Sequence, residues 1–152
     1  ISNKESENIL QYAIEKGFAE FDTAPNYGAG NIDHILSKVI TNTNQKIKIN
    51  TKCGKAGGIN GVVQWATLAE SVDKQIVIGT EWGFGLKVAA KLHLGSAIKN
   101  SNPVVEFTEY MIHDLFLKNN FQLENGYFTV PNKPGLGVVI DEEKIEKYKI
   151  DI

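Results

Sequence analysis

A hydrophobic stretch runs into Lys52 in INTKCGKAGG, residues 49–58, and then breaks into glycine. A lysine at the end of a buried strand is a candidate acid/base group. Cys53 follows it directly, and an adjacent ammonium can lower a thiol's pKa; the alternative is a small buried residue. Upstream, FAEFDTAPNYGAG carries Asp22 and Tyr27 five residues apart. Downstream, Glu106 in PVVEF is a strand-end carboxylate. Glu81 is a carboxylate of the same kind, but one carboxylate does not make a magnesium site, because that ion takes several oxygen ligands. His93 sits among Ala89, Ala90, Leu92 and Leu94 and reads as a satisfied helix histidine, and His34 reads as a helix-surface residue. Trp65 and Trp82 read as core or interface side chains. GINGVV and GFGLKV put glycines before helices, where backbone N–H groups can meet an anion.

These residues need elements to hold them. SNKESENILQYAIEKG reads as a helix. Ser2 and Glu5 form a capping box, Ile9, Leu10, Ala13 and Ile14 an apolar face, and Gly17 the stop. FAEFDTA then reads as a short strand, APNYGAG as a turn-rich loop and NIDHILSKVI as a helix. KIKINTK alternates and reads as a strand ending at Lys52, followed by the loop CGKAGGING. VVQWATLAES is helical, KQIVIGTE a strand, GFGLKVAAKLHLGSAIKN a loop and long helix, and PVVEF a fourth strand. A polar helix-or-loop stretch is predicted to about Asn125, then the strand GYFTV, the turn PNKPGLG and the helix DEEKIEKY. Helices alternating with short strands predict a parallel sheet. A full (βα)8 TIM barrel takes about 250 residues, so 152 supply about four βα units: an α/β half-barrel with an irregular C-terminal tail, residues 1–152 forming one domain.

Composition narrows the function classes. A net charge of −2 with scattered lysines gives no nucleic-acid surface. No apolar run is long enough for a spanning helix, so no membrane partner is expected. A single cysteine excludes an internal disulfide framework and fits a reducing, cytoplasmic compartment. The first residue, Ile1, suggests a processed, trimmed or incomplete product.

Two resemblances meet at Lys52. Over about residues 4–52 the chain resembles the aldo-keto reductases, carried by GFAEFDTAPNYGAG and KIKINTK. That resemblance implies that Tyr27 is the general acid for carbonyl reduction, Lys52 its pKa-lowering cation and Asp22 the group that holds the lysine. A phenol with pKa near about 10 does need a cation beside it to donate near neutral pH. It also implies an NADPH cofactor. The expected histidine does not follow, because His34, His93 and His113 stand elsewhere, and no Lys/Arg-rich adenine-phosphate loop appears. Asp33 and Ser37 stand where the family more often has glutamate and glycine.

From about residue 49 onward the chain resembles the enolase superfamily, of the mandelate racemase and muconate lactonizing type. The carrying stretches are INTKCGKAGGINGVVQWATLAES, GLKVAAKLHLGSAIKN with VVEF, and ENGYFTVPNKPGLGVVIDEEKIEKY. The resemblance implies that Lys52 is an acid/base and that Glu106 stabilises an enolate, with Mg²⁺ held by carboxylates of earlier strands. Those strands are absent from this sequence, and Gly79, Thr80 and Glu81 stand where a histidine is expected.

The expectation is a hybrid, residues 1–52 reductase-like and 53–152 enolase-like. Its ancestral chemistry is α-proton abstraction from a carboxylate substrate, as in a racemase or dehydratase, inactive in isolation. The alternatives are an NADPH-dependent aldo-keto reductase acting on a carbonyl through Tyr27, Lys52 and Asp22, and a non-catalytic fusion or engineered half-barrel. The ligand sets for Mg²⁺ and for NADPH are both incomplete, and no metal site is assigned. Unpaired sheet edges and half-covered apolar faces at Ile47, Ile49, Ile76, Ile78 and Val104 predict a homo-oligomer.

Overall fold

A computed structural model of the protein describes residues 1–52, 56–79, 83–102, 106 and 114–150. Cys53, Thr80, Glu81, Trp82, Val104 and His113 lie outside the described residues, as does all of PVVEF except Glu106. The chain divides into two compact units, Ile1–Lys55 and Ala56–Ile152.

The first unit opens with helix α1, Asn3–Glu15. The predicted capping box is formed: Ser2 Oγ accepts from the Glu5 backbone N–H at 3.2 Å, and Glu5 Oε2 accepts from the Ser2 backbone N–H at 2.7 Å. Gly17, with φ of 90°, closes the helix. It lets the Phe18 N–H reach the Ala13 carbonyl at 3.1 Å while its own N–H reaches Ile14 at 2.9 Å, a Schellman closure. Ile14 is buried, but Ile9 is 58% exposed. The two lie about 140° apart around the helix, so Ile9 falls outside the face that Leu10, Ala13 and Ile14 share.

Strand β1, Glu20–Asp22, pairs in parallel with strand β2, Lys48–Asn50, in the register Glu20↔Lys48, Phe21↔Ile49, Asp22↔Asn50. Each strand is shorter than its predicted segment. The crossover between them contains helix α2, Ile32–Ile40, which buries Ile35 and Leu36 and packs against α1. Lys38 Nζ meets Glu7 Oε1 at 2.6 Å across that helix pair. Thr23, just past β1, is buried. Its N–H donates to the Asn50 carbonyl at 2.8 Å, and its hydroxyl donates to Asp33 Oδ1 at 2.7 Å in the first turn of α2. The strand end is thereby tied to a helix N-terminus, where a carboxylate is favoured by the helix dipole.

The second unit holds helix α3, Gly58–Ser71, and helix α4, Gly85–Ala97. Between them Ile76 forms a single parallel bridge with Ser101, and Ile78 is buried. The predicted strand KQIVIGTE is therefore reduced to a bridge among the described residues. Helix α4 supplies much of this core through Val88, Ala89, Leu92 and Leu94. Fully buried Leu117 lies against Gly85 at its start. Strands β3, Leu123–Glu124, and β4, Tyr127–Phe128, form an antiparallel hairpin. Sequence reasoning predicted helix or loop up to Asn125. The hairpin forms because Asn125 and Gly126 both take positive φ, as a tight hairpin turn requires.

Helix α5, Glu142–Lys147, is capped by Asp141, whose Oδ1 accepts from the Lys144 N–H at 3.3 Å. Lys144 Nζ donates to the Leu117 carbonyl at 3.0 Å and pairs with Asp114 at 3.3 Å. The Phe116 ring lies between those of Phe84 and Tyr148, with centroids 4.5 and 5.4 Å away.

Candidate active site

The parallel register builds the first cluster. Side chains alternate along a strand, so Glu20 and Asp22 share one face of β1, and Lys48, Asn50 and Lys52 continue that face along β2. Lys48 Nζ and Asn50 Nδ2 both donate to Glu20 Oε1, at 2.9 and 2.7 Å. One step further on, Lys52 Nζ donates to Asp22 Oδ2 at 2.9 Å. The sequence signal for this row was the alternation of KIKINTK set against FAEFDTA.

Tyr27 comes back to the same place through a turn. Its N–H donates to the Ala24 carbonyl at 3.0 Å, and Gly28, Ala29 and Gly30 follow it with positive φ. Two of these three left-handed residues are glycine, the type that takes that conformation without a Cβ clash. The turn brings the Tyr27 hydroxyl within 3.0 Å of Lys52 Nζ, and that nitrogen is 5.0 Å from the centre of the tyrosine ring.

Asp22, Tyr27 and Lys52, read from sequence as one set, therefore meet at one ammonium. Its hydrogen bonds to Tyr27 and then to Asp22 raise the Lys52 pKa well above the ordinary lysine range, against a smaller opposing effect of burial. The side chains remain open to solvent, at 41% for Lys52 and 59% for Asp22, so the pair contributes little to stability. The neighbouring Glu20 carboxyl is held below its usual range by Lys48 and then Asn50.

Glu106 lies in the second unit and is exposed. Its Oε2 approaches Gly79 so closely that a Cβ built there would lie 3.3 Å away. Gly79 is three residues past the Ile76 bridge, so the carboxylate stands beside the end of the neighbouring segment. His93 Nε2 lies 3.3 Å from the Leu136 carbonyl, a helix-to-tail contact. His34 is on the exposed side of α2, and Trp65 is 44% exposed on α3. The Thr23–Asp33 contact was not anticipated, since nothing in the spacing of a threonine and an aspartate marks them as partners.

Magnesium takes near-octahedral oxygen coordination. Among the described residues no three His, Cys, Asp or Glu side chains converge, so these residues do not make up a magnesium site.

Residues 40–144 match the enolase C-terminal domain-like family, and residues 1–77 match the aldo/keto reductase family. The chain belongs to both families. The two matches overlap from residue 40 to residue 77, so this hybrid carries Lys52 in a segment that both describe. Arabinonate dehydratase of Saccharolobus solfataricus is 25% identical to it over 93 residues, 61% of the hybrid and 25% of the relative. D-galactarolactone cycloisomerase of Agrobacterium fabrum is 29% identical over 107 residues, covering 64% and 28%. D-galactonate dehydratase of Cronobacter sakazakii is 32% identical over 101 residues, covering 59% and 25%. A solved structure of a provisionally assigned dehydratase from Mesorhizobium loti superposes with a TM-score of 0.71 at 19% identity. It covers 99% of the hybrid and 46% of that protein, a likeness of fold alone. The hybrid spans about a quarter of the length of these curated relatives, and its fold is mixed α/β with an enolase-like neighbour.

Proposed function

We propose that the chain is a half-barrel segment of an enolase-superfamily enzyme whose chemistry is α-proton abstraction from a carboxylate substrate, as in a racemase or dehydratase, and that it does not turn over in isolation. The observation that carries this reading is the strand-end position of Lys52 inside the enolase-type match. Lys52 is then the acid/base residue and Glu106 the group that steadies the enolate. The substrate is a small carboxylate, in keeping with relatives named as dehydratases of arabinonate and galactonate. Among the described residues no helix is long and apolar enough to cross a membrane, and a cytoplasmic setting goes with the proposal.

A second reading is favoured by one contact, the 3.0 Å hydrogen bond between Lys52 Nζ and the Tyr27 hydroxyl. A tyrosine beside a cation is suited to protonate a carbonyl oxygen, as in NADPH-dependent reduction. Proton NMR in D2O with arabinonate and galactonate separates the two readings when paired with an NADPH oxidation assay. Neither activity is expected above the blank. An α-proton exchange lost in Lys52→Met would overturn the proposed inactivity and assign the lysine. NADPH oxidation lost in Tyr27→Phe would replace the enolase reading with the reductase one.

The half-barrel also calls for a second copy. Ile49 on β2 is 46% exposed, although parallel sheets ordinarily have both faces covered. Light scattering is expected to give the mass of a dimer or larger homo-oligomer, and a monomer that unfolds cooperatively at high dilution would contradict this.

A further inference from the structure

Lysine acts as a general base only when its amine is neutral. Lys52 is in the opposite condition. The Asp22 carboxylate from β1 and the Tyr27 hydroxyl from the following turn each accept one of its N–H bonds, at 2.9 and 3.0 Å, and the tyrosine ring stands 5.0 Å from the nitrogen. We propose that Asp22 and Tyr27 lock Lys52 as an ammonium ion, so that it serves as a proton donor and anion contact and not as the base that removes an α-proton. The proposal rests on the enolase reading for the role it denies, and it makes Asp22 and Tyr27 positioning residues.

The geometry leaves room for such a contact. An ammonium has three N–H donors. Among the described residues two are taken, and the side chain is 41% exposed, so the third can meet a carboxylate or carbonyl oxygen from solvent. The titratable groups acting on Lys52 are Asp22 and Tyr27, and both favour the charged form. Glu20 and Lys48, the next charged residues along the same face, pair with each other at 2.9 Å. A set inherited from a reductase therefore holds the one lysine that an enolase-type reaction would need neutral. This accounts for an inactive isolated chain without recourse to its missing strands.

The test reads the amine itself. Acylation by a water-soluble N-hydroxysuccinimide ester, followed residue by residue by peptide mass spectrometry across an alkaline pH series, gives a titration midpoint for each lysine. Lys4, whose side chain is 77% exposed, serves as the internal reference. The Lys52 midpoint is expected to lie above that of Lys4 in the unaltered protein. Tyr27→Phe and Asp22→Asn are each expected to move it toward Lys4, and every unit of displacement raises Lys52 acylation about tenfold at a fixed pH below the midpoint. Far-UV circular dichroism verifies that each variant is folded, and Tyr27→Phe, which removes one exposed oxygen, carries the test if Asp22→Asn does not fold. A Lys52 midpoint equal to that of Lys4 in the unaltered protein, or unmoved in a folded variant, would overturn the lock. Failure of the enolase reading would show instead as NADPH oxidation, with the acylation profile unchanged.

Discussion

Replacing Leu117 with alanine is expected to destabilise the Ala56–Ile152 unit by about 3 kcal/mol, the middle of the range for a buried leucine. Leu117 is 1% exposed, and its carbonyl accepts from Lys144. Gly85→Ala should act on the same spot from the other side. The new Cβ would collide with Leu117 Cγ and Cδ1 and lie 2.8 Å from the Leu115 carbonyl oxygen. Overpacking of this kind costs about 1–3 kcal/mol or more. The two substitutions are coupled, because Leu117→Ala removes the atoms that the new methyl group strikes. Urea unfolding of both single variants and the double variant should therefore show a double that is more stable than the sum of the singles predicts. Strict additivity would mean that Leu117 and Gly85 do not pack together as described. The Leu115 carbonyl stays in place, so relief is expected to be incomplete.

Gly61→Ala sets two effects against each other. Alanine is the better helix former by about 1 kcal/mol, which alone would stabilise α3. A Cβ at Gly61, however, would fall on the Ala56 carbonyl oxygen. That atom belongs to the backbone, just before Gly57 and Gly58, whose φ values of 79° and 84° turn the chain into the helix. No side-chain rotation can clear it, so the first turn of α3 must rebuild. The steric effect is expected to win, with a net loss of about 2–3 kcal/mol in urea unfolding. A stabilised Gly61→Ala variant would show that propensity governs here and that the approach of Ala56 is not maintained.

How much of this was legible in advance depended on the range of the interaction. The α1 boundaries could be read because Ser2, Glu5 and Gly17 act within one turn of the helix they cap. The Asp22–Tyr27–Lys52 cluster could be read because a parallel crossover brings two strand ends together, whatever the details of the helix between them. The Thr23–Asp33 hydrogen bond could not, since it depends on how α2 settles against β1. The β3–β4 hairpin was half legible. GYFTV was read as a strand, but its partner Leu123–Glu124 is too short to carry alternation, and only the Asn125–Gly126 turn gave it away. KQIVIGTE has strong strand propensity yet forms a single bridge among the described residues, since a strand needs neighbours to pair with and propensity supplies none.

The row of charges on β1 and β2 has a consequence for alignment errors between the strands. Shifting β2 by one residue would turn Lys48, Asn50 and Lys52 to the opposite face of the sheet and leave Glu20 and Asp22 without their cations. The pairing is three residues long and Ile49 is half wet, so apolar contacts alone discriminate weakly between the correct alignment and a slipped one. The charges impose that discrimination while adding little to overall stability. Because they are exposed, mobile ions weaken the discrimination, and the fidelity of strand alignment in this unit becomes a property of the surrounding ionic strength.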